Sequence, residues 1–159
     1  MTAPAPTTPL TPAERRIARG VVLGKSPREI ADAETLSLHT VRTHMQTMRR
    51  KLLCPERCTL AVLTHRLLRA DEATAPVPDT PAPDLSAEQT NVLRAVTEHS
   101  APLDIARGAG IAPADLRAAL GRLLADTGVP DTTLLVTRAH GWGLLAAEQP
   151  RTVRSGADR

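Results

Sequence analysis

Between Ser37 and Leu52, the positions left over by an apolar stripe are His39, Thr40, Arg42, Thr43, Gln46, Thr47, Arg49, Arg50 and Lys51, and none of the nine is acidic. A solvated helix face normally mixes both signs of charge, so a face of donors and cations alone suits an anionic partner. Arg bonds a guanine edge in bidentate fashion, Gln does the same for adenine, and Arg or Lys neutralises phosphate. Other chemistries lack a constellation. Cys54, Cys58 and His65 fall short of the four ligands zinc typically takes, and a small buried thiol accounts better for the cysteines. No nucleophile stands with its base, no Gly-rich loop offers to cradle phosphate, and no carboxylates pair. The chain is expected to be no enzyme and to need neither metal nor cofactor.

The elements that would position this face are marked by local signals. Thr11-Pro12-Ala13-Glu14 and Ser26-Pro27-Arg28-Glu29 are capping boxes with Pro at the first helical position, and Ser86-Ala87-Glu88-Gln89 repeats the device. A third helix is expected after Ser37, burying Leu38, Val41, Met45, Met48 and Leu52. A fourth follows Pro55 with Leu60, Leu63 and Leu67. Sliding the chain by 75 residues pairs Leu10 with Leu85, Pro27 with Pro102, Ile30 with Ile105, Arg42 with Arg117, Leu60 with Leu135 and His65 with His140. That self-similarity reads as an internal duplication, each copy being four short helices. Between the copies, DEATAPVPDTPAPD has no hydrophobic period and reads as an extended linker able to span on the order of 40 Å.

Composition agrees with small helical units. The 159 residues include no Phe, no Tyr and one Trp, so the core must come from Ala, Leu, Val and Ile. Charge is segregated: residues 10–70 carry twelve Lys/Arg against five Asp/Glu, residues 71–84 carry four acids and no base, and residues 85–145 carry five Arg against six acids. An anionic partner therefore belongs to the first half. Two cysteines do not make a disulfide scaffold, the N-terminal stretch lacks the features of a secretory signal, and no apolar run is long enough to span a membrane. A cytoplasmic location follows as the expectation.

Residues 10–68 resemble the LuxR (GerE) family of DNA-binding domains. The residues that carry the likeness are Leu10-Thr11-Pro12 with Glu14, the Gly24…Ser26 turn, Glu29-Ile30-Ala31, the Ser37…Thr40-Val41-Arg42-Thr43-His44 run, Lys51-Leu52 and Arg57. Thr43-His44 after Val41-Arg42 sets the pattern apart from region 4 of sigma factors. The resemblance implies a helix-turn-helix whose helix 38–52 enters the major groove of double-stranded DNA, with Arg42, Thr43, Gln46 and His39 reading bases. Lys25, Ser26, Arg28, Thr40, Arg49, Arg50 and Lys51 are then placed for phosphate. The sequence departs from the family at Glu34, where Leu is usual, and at Thr35 and Leu53, where Gly is common.

The second unit keeps the frame and loses the charge. Gly121, Leu124, Ala125 and Asp126 replace Gln46, Arg49, Arg50 and Lys51, leaving Arg117 and Arg122 as its candidates for DNA contact. The run 133–145 fits either a fourth helix or a hairpin wing around Gly141-Trp142-Gly143. The expectation is an all-α chain of two LuxR-type four-helix domains in tandem: tail 1–9, DNA-binding domain 10–70, Pro-rich linker 71–84, second helix-turn-helix domain 85–146 and tail 147–159. A bacterial transcription regulator is implied. The second unit is free to serve a homodimer or a protein partner, making an interaction adaptor for another regulator or RNA polymerase the competing reading.

Overall fold

A computed structural model of the chain describes residues 8–55 and 57–145. The expected tails 1–9 and 147–159 lie almost wholly outside them. Among the described residues eight α-helices follow one another: α1 Pro12–Val22, α2 Pro27–Glu34, α3 Leu38–Lys51, α4 Leu60–Arg69, α5 Ala87–Glu98, α6 Pro102–Ala109, α7 Leu116–Thr127 and α8 Thr132–Gly141. A 3-10 turn, Pro113–Asp115, leads into α7, and there is no strand among the described residues.

The capping chemistry is formed as the sequence expects. Thr11, Ser26 and Ser86 each accept from the backbone N–H three residues on, while Glu14, Glu29 and Gln89 reach back to the cap N–H. Each box satisfies two of the four donors that a helix start leaves without an intrahelical partner. Ser37, Thr59 and Asp131 cap α3, α4 and α8 with a side-chain oxygen. α4 starts at Leu60, well after Pro55, because Cys58 N–H closes a turn onto Pro55 O at 3.2 Å and Thr59 then supplies the cap. Residues 132–141 form a helix and no hairpin wing. α8 begins three residues before the position that α4 would set at an offset of 75, since Asp131 provides the capping carboxylate.

Two apolar clusters hold the helices. One gathers Ile17, Val21, Ile30, Val41, Met48, Leu63 and Leu67 from α1–α4 together with Leu52 just past α3, and the other gathers Val92, Leu93, Ile105, Leu123, Leu135 and Val136 from α5–α8. Ala61 of α4 belongs to the second cluster. Truncating one of these Leu or Ile side chains to Ala removes about 2–5 kcal/mol.

The units are not held apart by the segment between them. α4 packs directly on α8, α1 also meets α8, and α4 meets α5. The Thr137 hydroxyl donates to Val22 O at 2.6 Å, and Thr59 N–H donates to Ser100 Oγ at 3.0 Å. His65 Nδ1 lies 2.9 Å from His140 Nε2. Burial, then His140 and the guanidiniums of Arg69 and Arg66, push His65 down to about 4, and burial with Arg69 lowers His140 as well. The segment 71–84 lies against both units: Glu72 bonds Arg15 Nε at 3.0 Å, and Trp142 Nε1 donates to Thr80 O at 2.8 Å. A Cβ on Gly141 would stand 2.7 Å from Pro76 O, so this close approach requires glycine.

Candidate nucleic-acid interface

α2 and α3 are joined by a three-residue turn. Thr35 takes left-handed backbone angles (φ 59, ψ 46), and Leu36 N–H donates back to Ala31 O at 2.9 Å. A left-handed residue there ends α2 and turns the chain sharply enough for Ser37 to cap the next helix. The Gly common in the family at this position has a physical reason, and Thr35 adopts the same conformation at a steric cost. Leu53, the other departure from Gly, is likewise left-handed (φ 59) just beyond α3. Glu34, in place of the usual Leu, is half-buried and pairs with Arg16 Nε at 3.5 Å.

α3 buries Val41, Met45 and Met48, and Leu52 beyond its end is buried with them. Leu38, expected in that stripe, is half-buried. On the opposite side His39, Arg42, Thr43, Gln46 and Arg50 are exposed. Thr40 is half-buried and accepts from the Ser37 hydroxyl at 2.8 Å. Pro27, His39, Arg42, Thr43, Gln46 and Arg49 line a concavity of about 440 Å³ that opens along this face. Lys25 and Arg28 are exposed at the start of α2. Ser26 Oγ accepts from Glu29 N–H at 3.1 Å, which leaves its own proton free to donate.

Two of the expected phosphate contacts are engaged inside the unit. Lys51 Nζ lies 2.7 Å from Glu14 Oε1, and the Glu14 side chain is 5% exposed. Burial alone would raise the Glu14 pKa, but Lys51 and the Thr11 N–H and hydroxyl hold it below the usual carboxylate value. Arg49 Nε donates to Cys58 Sγ at 3.3 Å and its Nη2 to Cys58 O at 3.1 Å. Both side chains tie α3 to a neighbouring element. His44 is half-buried.

Sequence reading missed Arg66, whose Nη1 donates to Leu52 O at 3.1 Å and Leu53 O at 2.9 Å. The available signal was the need of every helix C-terminus for donors, which a cation on the following helix can meet. In the second unit Arg117 and Arg122 are exposed on α7, among exposed Ala118, Gly121, Ala125 and Asp126. No helix among the described residues is long and apolar enough to cross a membrane, and no group of three or more candidate metal ligands occurs among them.

Residues 8–64 match the family described as bacterial regulatory proteins, luxR family. No curated protein and no solved structure matches the chain. The match takes in α1 to α3 and the start of α4, with α2 and α3 as its helix-turn-helix, so this part of the chain is similar to a family of bacterial DNA-binding transcription regulators.

Proposed function

We propose that this protein is a sequence-specific regulator that binds double-stranded DNA by seating α3 in the major groove. The observation that carries the reading is the exposed face of α3, where His39, Arg42, Thr43, Gln46 and Arg50 stand together without an acid while the opposite face is buried. In this reading Arg42, Thr43, Gln46 and His39 meet base edges. Lys25, Ser26, Arg28, Thr40 and Arg50 meet phosphate. Arg49 and Lys51 fix the pitch of α3 through Cys58 and Glu14, and Lys51 has little charge left to offer DNA.

The second unit acts as an internal partner for the first. Its helices up to α7 lie at an offset of 75 from those of the first unit, with α8 set three residues early: α2 Pro27–Glu34 matches α6 Pro102–Ala109, and the left-handed residues Thr35 and Leu53 match Gly110 and Gly128. Like elements meet across the contact, α4 on α8 and His65 on His140, as in an isologous dimer of two copies. The competing reading, an adaptor for another regulator or polymerase, has no comparable anchor. Trp142, its natural candidate, is half-buried and bonded to Thr80 O.

The test is selection of bound sequences from a random duplex pool with the full chain, followed by affinity measurements on the enriched site. Arg42→Ala should cost about 1–3 kcal/mol and relax preference at one base pair. Lys25→Ala should weaken all sequences alike and flatten the salt dependence by about one unit of slope. Absence of any enriched sequence would refute specific binding by the isolated protein.

A further inference from the structure

The contacts between the two units come in reciprocal pairs at the offset of 75. His65 and His140 correspond to each other and meet. α1 packs on α8 as α5 packs on α4. Thr59 N–H donates to Ser100 Oγ, and their counterparts are Leu134 and Lys25. The Leu134 side chain lies against Gly24, the residue before Lys25, where a Cβ would stand 2.7 Å from it. Reciprocal contacts of this kind define an approximate two-fold axis through the histidine pair. Leu68 and Asp71, at and just past the end of α4, line one depression with His140 and Gly141, the last residues of α8. Both helices therefore end on one side of the molecule and begin on the other. Leu60, the first residue of α4, lines the concavity of the α3 face with Arg42 and Gln46. That face opens where α4 and α8 begin, and the two-fold axis turns the exposed face of α7 to the same side.

What the second unit presents there is reduced. Ala114, Ala118 and Gly121 stand where the first unit has His39, Thr43 and Gln46, and none carries a polar side-chain atom. Ser100, Ala101 and Leu103 replace Lys25, Ser26 and Arg28, and the Ser100 hydroxyl is already engaged by Thr59. Arg117 and Arg122 remain exposed in α7, Arg117 at the position of Arg42, and among the described residues neither is held in an ion pair. The acids stand at the two ends: Asp115 just before α7, and Asp126 near its close, where it accepts from Gln89 Nε2 at 2.8 Å. Reading a base edge takes side-chain groups held over it, in bidentate pairs at best, whereas a contact to phosphate carries no sequence information. We propose that the second unit rests on the same duplex as the first and holds only its phosphates, through Arg117 and Arg122. The binding site is then one read half with one unread half beside it. This rests on the reading of α3 as the helix in the major groove. Two-fold-related helices on one duplex lie roughly one helical turn apart, so the unread contacts fall about 10 base pairs from the read ones and to one side only.

The experiment is hydroxyl-radical footprinting and salt-dependent affinity of the full chain on the selected duplex, for the unaltered protein and for Arg117→Ala with Arg122→Ala. The expected footprint covers the enriched half-site and a stretch without sequence preference on one side of it. The double variant should lose that stretch and flatten the salt slope by up to about 1.8, about 0.9 for each cation, while selecting the same sequence. Gly121→Glu makes a second probe, because a Cβ at Gly121 meets nothing within 4 Å and the fold has room for it. Its carboxylate, facing phosphate, should weaken binding to every duplex alike, with an unchanged thermal melt. A footprint confined to the half-site, with slope and affinity indifferent to all three substitutions, overturns the proposal. An inverted second half-site among the selected sequences also overturns it, because that half would then be read. Should the unaltered chain bind no duplex, the reading of α3 fails and takes this inference with it. Binding that Arg42→Ala weakens and the α7 variants leave untouched removes this inference alone.

Discussion

Glu14 and Lys51 lie 37 positions apart yet share a 2.7 Å ion pair that fastens α1 to the end of α3. The sequence showed the charge of Lys51 and could not show its partner, because a contact across 37 residues leaves no local signature. The same holds for Arg49, whose sulfur acceptor is nine residues away. His39, Arg42, Thr43, Gln46 and Arg50 were legible because a helical period alone assigns them to the face opposite Val41, Met45 and Met48. Lys51→Met should cost about 1–2 kcal/mol, since it leaves a buried carboxylate without its counter-charge. Glu14→Gln should cost less, because an amide oxygen keeps the capping box closed. Thermal melts of the two variants at neutral pH would order them; a milder effect of Lys51→Met would deny the pair its role.

At the scale of the element, starts of helices were readable wherever the cap and its reciprocal partner sit within three residues, as at Thr11, Ser26 and Ser86. Where Pro was the mark the start was located less closely: α4 does follow Pro55 and holds Leu60, Leu63 and Leu67, but it begins a full loop later, at Leu60. The departures at Thr35 and Leu53 were visible in sequence, but their meaning lies in the backbone. Gly110 and Gly128, 75 residues further on, hold φ of 74 and 72, the region in which Thr35 and Leu53 sit at 59. A β-branched or γ-branched side chain pays there about 1–2 kcal/mol that glycine does not, less the greater entropy glycine loses on folding. Thr35→Gly and Leu53→Gly should therefore each stabilise the chain by up to about 1 kcal/mol, seen as a rise in the chemical-denaturation midpoint with unchanged slope. A fall in the midpoint for Thr35→Gly would mean that its side chain, rather than its backbone, secures the turn.

The whole molecule is where sequence reading was least informative. The Pro-rich segment looked like a spacer, and no local pattern reveals that α4 rests on α8. With that face of α4 covered from within, the chain should sediment as a monomer at micromolar concentration and bind its DNA site one chain at a time. A second chain in the complex, by light scattering, would refute the internal partner. The same contact sets the response to acid. His65 is held near pKa 4, and His140 is lowered too, so below about 6.5 the unfolded chain takes up protons that the folded chain refuses. Stability should be complete above that pH and decline by on the order of 2–3 kcal/mol for His65 as pH falls from 6.5 to 4. His65→Asn should remove most of that slope. The pairing of these rings also carries an asymmetry. The 2.9 Å contact joins Nδ1 of one imidazole to Nε2 of the other, and a neutral pair has one proton to place between them. Two identical subunits meeting on a dyad could choose either donor, each choice breaking their equivalence and the pair alternating between them. In one continuous chain the two rings have different neighbours, so the two placements of the proton differ in energy and one direction of the bond is favoured over the other.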